Sequence, residues 1–321
     1  MPKLSVIIPV KNGADTLNRC LTSVRNQIGF GSIEIIILDS NSTDHSVAIA
    51  NDFGARVLSI SPKEFNHGLT RNLGVNFSKA DFIFFTVQDA WLSEPDMLHR
   101  MNSYFSQSEV MAVVGHQAVP HESDKNPMLW FKRFTEPITQ FRKLKQHINF
   151  ETLTDVKKAE LIAWDNVVAM YRKSALLALP FTKTGFAEDW IWSRDAIMKG
   201  YTLVYDPSLV VYHYHHMDYD YAYRMQLTVN YHMYKHFGFK PAKPEFLYPV
   251  IRSGFHLLRH RYLKISEKWY WWNYNIKASL AFYRSTKIFI SVLKINGLRG
   301  IENMHEQICN EIPQGRQNNS L

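Results

Sequence analysis

The chain has 321 residues, of which 46% are hydrophobic and 21% are charged. This composition is typical of a globular protein with one large or two smaller domains. Its two cysteines, Cys20 and Cys309, exclude a disulfide framework and a Cys-x-x-Cys metal site. The formal net charge of +8 favours an acidic partner, such as nucleotide phosphates, a polyanion or an anionic membrane.

Strands alternate with helices through the first hundred residues. We predict strands at residues 4–9, 34–38, 56–60 and 82–87, and helices at residues 14–26, 44–53 and 70–78. The strand at 34–38 is a short β-branched run without alternation, which is typical of a strand covered on both faces. This order favours an α/β fold with a doubly wound, mostly parallel sheet. The apolar N-terminal segment is too short to span a membrane and lacks a cleavage site, so we expect a cytoplasmic protein.

The pattern changes after residue 110. Further strands are predicted at residues 111–115, 167–171, 203–205 and 210–212, and residues 185–200 read as a loop followed by a helix. Residues 120–160 are polar, aromatic and irregular. We therefore predict a catalytic domain over residues 1–220, with a donor half at about 1–110 and an acceptor half at 111–220. A helical region follows at 221–321, with a disordered tail from about residue 310.

The positive charge is concentrated near the C-terminus. Residues 240–300 hold twelve Lys or Arg and two Glu, a net charge of +10, beside a Trp- and Tyr-rich run at residues 269–274. Rings and cations together suit a membrane–water interface with anionic lipid. An ordinary helical subdomain with a solvated basic face, or a contact between copies in a homo-oligomer, would show the same pattern of aromatic and basic residues. Nucleic acid is disfavoured because no recognised binding motif accompanies the charge.

Polar and acidic residues follow several strands of the predicted sheet. Asn12 follows the first strand, Asp39 the second, and Gln88 and Asp89 the fourth, while a pair of acids opens the helix near residue 188. Open α/β sheets bind ligands at the carboxyl ends of their strands. A carboxylate there can accept hydrogen bonds from a nucleobase or ribose, bind a metal, or act as a general base. Taken alone, Asp39 is equally well explained as a cap of the next helix.

The ordered motifs resemble the family 2 glycosyltransferases, which have the GT-A fold and invert the anomeric carbon. The segments that carry the resemblance, over about residues 4–215, are LSVIIPVKNG (4–13), LDSNSTD (38–44), GLTRNLG (68–74), QDA (88–90) and FAEDW (186–190). A narrower resemblance, to the bacterial rhamnosyltransferases that use dTDP-L-rhamnose, rests on EFNHGLTRN (64–72), TVQDA (86–90) and HYH (213–215).

The resemblance implies a role for each matching residue. Asp189 would be the catalytic base, with Glu188 its neighbour. Asp89 would be the retained acid of the metal motif, and His213 or His215 would complete the metal site or contact the phosphates. The donor nucleotide would contact the remaining matched positions, Pro9, Val10, Asn12, Asp39, Asn41, His67, Arg71, Asn72 and Gln88.

The metal motif departs from the family pattern. Two or three closely spaced acids are usual, whereas Gln88 and Ala90 leave Asp89 alone here. A site of one carboxylate and an imidazole suits Mg²⁺ or Mn²⁺ helped by phosphates and water. We expect weak metal binding, and a metal-independent reaction stays open.

The sequence therefore predicts an inverting glycosyltransferase. Its expected partners are a nucleotide-sugar donor, best guessed as dTDP-L-rhamnose, and a lipid-linked or oligosaccharide acceptor in bacterial surface glycan synthesis. We expect it to be peripheral at the inner face of the cell membrane. A UDP- or GDP-sugar donor is one alternative, and a non-catalytic scaffold of a glycan-assembly complex is another. A nucleotidyltransferase lacks support because residues 9–13 offer no Gly-rich triphosphate loop, and an oxidoreductase because the dinucleotide glycine fingerprint is missing.

Overall fold

The computed structural model describes residues 3–122, 124–130 and 138–309. They divide into two compact units, one built from residues before 119 and from 133–213, the other from 119–132 and the chain after 213. The predicted tail from about residue 310 lies outside the described residues. No helix within them is both long enough and apolar enough to cross a membrane.

The first unit is an α/β sheet flanked by helices. Its strands in the described ranges are β1 (Leu4–Val10), β2 (Ile33–Asp39), β3 (Arg56–Ser59), β4 (Phe82–Phe85), β5 (Trp91–Leu92), β6 (Val110–Ala118), β7 (Gln140–Arg142), β8 (Ala169–Arg172) and β9 (Thr202–Tyr212). Its helices are α1 (Ala14–Arg25), α2 (Ser46–Asp52), α3 (His67–Phe77), α4 (Met97–Ser103), α6 (Asp155–Ile162), α7 (Lys173–Ala178) and α8 (Glu188–Met198). The predicted fold class is confirmed.

The strand order is β3-β2-β1-β4-β8-β6-β9-β5, with β7 paired to β9. Strands β3, β2, β1 and β4 are parallel, whereas β8 runs antiparallel to both of its neighbours. Because β8 is antiparallel to both β4 and β6, β6 runs in the same direction as β4. Strand β9 is parallel to β6, so β6 and β9 end at the same edge as β1, β2 and β4. We call this edge, marked by Val10, Asp39 and Tyr212, the carboxyl edge.

Two sequence-based boundaries are wrong for identifiable reasons. The segments predicted as separate strands at 203–205 and 210–212 form one strand, β9, because β6 pairs along both and a register shift accommodates the residues between them. Helix α3 begins at His67 rather than residue 70, because the Asn66 side chain accepts a hydrogen bond from the Leu69 N–H and caps the helix.

The sheet is buried on both faces. One apolar cluster includes Ile8, Leu21 and Phe84, and the other includes Ile7, Phe85 and Trp192. Adjacent β1 residues thus point into opposite layers, which explains the continuous apolar run in the sequence.

The second unit is helical in the described ranges. Its helices are α5 (Pro127–Trp130), α9 (Tyr219–Phe237), α10 (Leu247–Arg259) and α11 (Ile265–Ile308). Helix α11 is interrupted at Gly297, whose φ of 62° lies in the left-handed region that glycine tolerates. Leu227 and Phe289 pack between α9 and α11, and Leu257 and Trp271 between α10 and α11.

Candidate active site

Asp39 ends β2 at the carboxyl edge and is buried. Its carboxylate accepts hydrogen bonds from the Ser42 N–H at 3.2 and 3.3 Å. Helix α2 begins later, at Ser46, so Asp39 does not cap that helix. Val10 lies beside Asp39 in the β1–β2 register, with Pro9 one residue before it, so three predicted donor-side residues share one corner of the sheet.

The two loops at this corner are tied to each other. The Asn12 N–H donates to Ser42 Oγ at 2.9 Å, and the Thr43 N–H donates to Asn12 Oδ1 at 2.8 Å. Asn12 and Asn41 both have left-handed backbone, with φ of 48° and 58°. Asparagine is among the residues that best tolerate this conformation, which explains its use at both positions.

Gln88 fastens the fourth strand end to the first. Its Oε1 accepts from the Lys11 N–H at 2.8 Å, and its Nε2 donates to the Lys11 carbonyl at 3.2 Å. Gly13 makes room for this amide, because a Cβ at position 13 would lie 2.7 Å from the Gln88 side chain. The contacts give Gln88 a structural role, and its role in donor binding stays a prediction.

Asp89 and His213 lie together at the carboxyl edge, with 3.4 Å between Asp89 Oδ1 and His213 Nε2. The other ring nitrogen, Nδ1, lies 2.7 Å from Oε1 of Gln117. Gln117 in turn donates through Nε2 to the Asp165 carboxylate. Because the amide nitrogen of Gln117 faces Asp165, its amide oxygen accepts from His213 Nδ1, and Nε2 is the ring nitrogen directed toward Asp89.

This arrangement fits a divalent cation. A carboxylate and an imidazole nitrogen oriented by a hydrogen bond on its other side are a donor set that Mn²⁺ accepts. His215 follows His213 by two residues and belongs to the second unit. Its part in metal binding stays a prediction.

Helix α3 carries a buried ion pair to α8. Arg71 Nη1 lies 2.6 Å from Glu188 Oε1, and the two residues are 4% and 6% exposed. Both polar side-chain atoms of Asn72 bond the backbone of Phe181. Burial lowers the pKa of His67, and Arg71 lowers it further while Glu188 opposes the shift. The predicted contacts of Arg71, Asn72 and His67 with the donor remain predictions.

Asp189 lies in the first turn of α8. Its carboxylate accepts from the Trp190 N–H at 2.8 Å and the Asn166 N–H at 3.3 Å. Burial, then the negative charges of Glu188 and Asp165, raise its pKa well above the ordinary aspartate value, and the Arg71 cation only partly offsets them. A carboxylate with a raised pKa is a stronger proton acceptor than an ordinary one once it is ionised.

Three polar residues of this site were missed by sequence reasoning. Gln117 is the penultimate residue of β6, and Asp165 and Asn166 precede β8. Asn166 accepts from the Tyr171 hydroxyl at 2.6 Å and donates to Glu188 at 3.5 Å. The signal available was the position of Gln117 and Asn166 at strand ends, but it becomes informative only once the strand order is known.

The fold and site together define the GT-A class of α/β protein, with carboxylates at the carboxyl edge of the sheet. The glycosyl transferase family 2 model matches residues 5–176, so the chain belongs to that family.

Two curated relatives are similar over the larger part of the chain. The O-antigen chain rhamnosyltransferase RfbN of Salmonella typhimurium is 32% identical over 217 residues, and WbaN of Salmonella anatum is 32% identical over 221. Each match covers 66% of this chain and 66% of the relative, slightly less than two thirds of the relative's length.

Solved structures share the fold. Residues 1–349 of S. aureus TarS, in complex with UDP-GlcNAc, match with a TM-score of 0.53 and 15% identity, covering 97% of this chain and 82% of that one. Glucosyl-3-phosphoglycerate synthase from Mycobacterium tuberculosis, in complex with Mn²⁺, UDP-glucose and phosphoglyceric acid, matches with a TM-score of 0.50 and 16% identity, covering 77% and 85%. At these identities the likeness shows the fold alone.

Proposed function

We propose that the protein is an inverting glycosyltransferase of bacterial surface glycan synthesis that moves L-rhamnose from dTDP-L-rhamnose to a hydroxyl of a lipid-linked or polysaccharide acceptor. The observation that carries the proposal is Asp189, whose carboxylate has a raised pKa at the sheet edge that also holds Asp39 and Asp89. The 32% identity to two O-antigen chain rhamnosyltransferases supports rhamnose as the sugar.

Asp39 would recognise the base of the donor. Thymine presents an N–H donor between two carbonyls, and a buried carboxylate accepts from such a donor. Uracil and guanine also present ring N–H donors, so Asp39 is compatible with UDP- and GDP-sugars as well. The choice of dTDP-L-rhamnose among these donors therefore rests on the 32% identity to the two rhamnosyltransferases.

Asp89 and His213, with His215 nearby in the chain, would hold Mg²⁺ or Mn²⁺. When bound there, the cation supplies positive charge that offsets the diphosphate as the sugar leaves it. Gln117 keeps the His213 nitrogen directed toward Asp89. The lean set of protein ligands is consistent with weak binding in the absence of the donor diphosphate.

Asp189 would act on the acceptor. Its carboxylate takes the proton of the acceptor hydroxyl as the oxygen attacks the anomeric carbon from the side opposite the diphosphate. The new carbon–oxygen bond forms as the bond to the diphosphate breaks, so one displacement inverts the configuration. The proton ends on Asp189 and the negative charge on the nucleoside diphosphate.

The decisive experiment compares donors on the purified protein. We expect dTDP-L-rhamnose to raise the melting temperature more than UDP- or GDP-sugars, with a larger rise when Mn²⁺ is present. Asp39→Asn should remove most of this shift, whereas Asp52→Asn, an exposed acid on α2, should keep it. A preference for a UDP- or GDP-sugar would overturn the rhamnose assignment. Stabilisation by no donor, together with no transfer or donor hydrolysis, would favour the non-catalytic scaffold.

A further inference from the structure

Helix α10 carries an apolar face that the second unit leaves exposed. Five large side chains recur at helical spacing on this face, which we call the apolar stripe: Leu247, Tyr248, Ile251, Phe255 and Leu258. Phe255 is 63% exposed and Leu258 is 73% exposed. Contiguous exposed apolar side chains on a helix mark an interaction surface rather than ordinary surface variation.

The opposite face of α10 already has a partner. Leu257 and Ser253 are buried, and Leu257 packs with Trp271 of α11. Trp272 Nε1 donates to the Val250 carbonyl at 3.4 Å, which further fixes α10 against α11. The helix is thus held through one side while the apolar stripe faces outward.

The turn from α10 into α11 extends the same kind of surface. Tyr262 is 93% exposed in the turn, and Ile265 and Trp269 are exposed in the first turns of α11. Amphipathic rings of this kind settle at the headgroup level of a bilayer, with the ring body in the apolar boundary.

Cations border this surface. Arg252 and Arg259 are exposed on α10 and lie on the helix wheel beside the apolar stripe, and Arg261 and Lys264 are exposed in the following turn. Residues 240–300 contain only two acidic residues, so these cations have few opposite charges nearby in the sequence. Two identical copies meeting through this face would bring like charges together, which disfavours a homodimer.

We propose that the apolar stripe of α10, with the turn into α11, docks the protein on an anionic lipid bilayer. The stripe would enter the boundary between headgroups and acyl chains, and the bordering Arg and Lys side chains would contact lipid phosphates. This is the chemistry of a helix lying in the membrane interface. The inference does not depend on the identity of the sugar donor.

Vesicle flotation of the full chain, without donor or metal, tests the inference. Wild-type protein should float with vesicles of phosphatidylcholine and phosphatidylglycerol in equal parts and remain behind with phosphatidylcholine alone. The double variant Ile251→Glu with Phe255→Glu should lose binding to the anionic vesicles. Arg252→Glu with Arg259→Glu should weaken it by at least about 25-fold, because each of the two cations near an anionic surface contributes about a fivefold factor.

Matched controls separate docking from general effects. Val156→Glu removes an exposed apolar side chain on α6, and Lys143→Glu with Lys145→Glu reverses two exposed charges before α6. Both should float as wild type, and circular dichroism should confirm that every variant is folded. Vesicle binding that persists in folded Ile251→Glu with Phe255→Glu would overturn the proposal. So would a wild-type protein that ignores anionic vesicles and forms a dimer that the same double variant dissociates.

Discussion

The donor-side loops and the acids around Asp189 share the carboxyl edge but are held in different ways. Around Asn12 and Gln88, neutral side chains bond backbone groups of neighbouring loops. Asp189 lies with Asp165 and Glu188, and we call these three residues the acidic cluster. The positive charge of the Arg71 guanidinium acts on all three carboxyl groups. The first region resembles a rigid scaffold, whereas the second carries an excess of buried negative charge that favours proton uptake.

Because Asp189 is a buried carboxyl group among other acids, we expect Asp189→Asn to lower the rate of transfer and to raise the thermal stability. Transfer should fall by about 10³-fold, within the range for loss of a general base, while donor binding persists. The pKa of Asp189 is raised in the folded state, so its favourable contribution to folding is present at low pH and lost as pH rises through that pKa. At neutral pH the uncharged amide should therefore increase the melting temperature, and the gain should shrink at acidic pH.

Transfer of radiolabelled sugar and thermal unfolding at two pH values measure these effects. Asp195→Asn, on the same helix and paired with Arg194, is the matched control and should change neither strongly. In the wild type, the rate should fall with decreasing pH well above the usual aspartate range. Near-normal transfer by Asp189→Asn would contradict the assignment of the base.

The second prediction concerns Arg71, the cation that pairs with Glu188 in the acidic cluster. Arg71→Met leaves Glu188 buried without its partner and should lower the free energy of unfolding by about 3–5 kcal/mol. Urea denaturation measures the loss. Lys157→Met breaks an exposed pair with Glu160 and should cost less than about 1 kcal/mol. Adding Glu188→Gln to Arg71→Met should restore part of the stability, and a double variant no better than the single would argue against an electrostatic origin.

The third prediction tests the residue that orients His213. Gln117→Leu removes the acceptor of His213 Nδ1 and should weaken Mn²⁺ binding by about 10–100-fold. Titration calorimetry, or the electron paramagnetic resonance of free Mn²⁺, measures this without any sugar transfer. Gln140→Leu, which instead removes the acceptor of two hydrogen bonds from Arg142, should bind Mn²⁺ as wild type does. Equal affinity in both variants would show that Gln117 does not position the imidazole.

The smallest effect is expected at the donor-side loops. Gly13→Ala places a methyl group against Gln88 and should cost about 1–3 kcal/mol of stability. Gly31→Ala is the matched control, because no atom lies within 4 Å of its added methyl group. If the clash with Gln88 is the cause, Gln88→Ala should abolish most of the cost in a double-mutant cycle. Purely additive losses would place the cause elsewhere.

The sequence predicted the parallel part of the fold well because its signals are local. The β-branched run of β2 and the polar residue at its end, Asp39, are contiguous, and parallel strands bring such ends to one edge. The reversal of β8 was not visible, because it depends on pairing with β4 and β6, which are distant in sequence.

The same limit applies within the site. Asp89 and Asp189 could be proposed from motifs, but Gln117 acts through a contact with His213, 96 residues away. Asp165 accepts a hydrogen bond from that glutamine, and its negative charge raises the pKa of Asp189. The roles of such residues depend on strand order and side-chain geometry. A short sequence motif encodes neither the strand order nor the geometry.

The amide of Gln88 also restricts which side chains position 88 can accept. A glutamate at position 88 would keep the bond from the Lys11 N–H but would turn a carboxylate oxygen toward the Lys11 carbonyl, where the amide now donates. A second acid beside Asp89 therefore cannot be gained by that one exchange without loosening the β1–α1 loop. Position 88 and the β1–α1 loop are thus coupled epistatically: an acid at position 88 requires a compensating change in the loop.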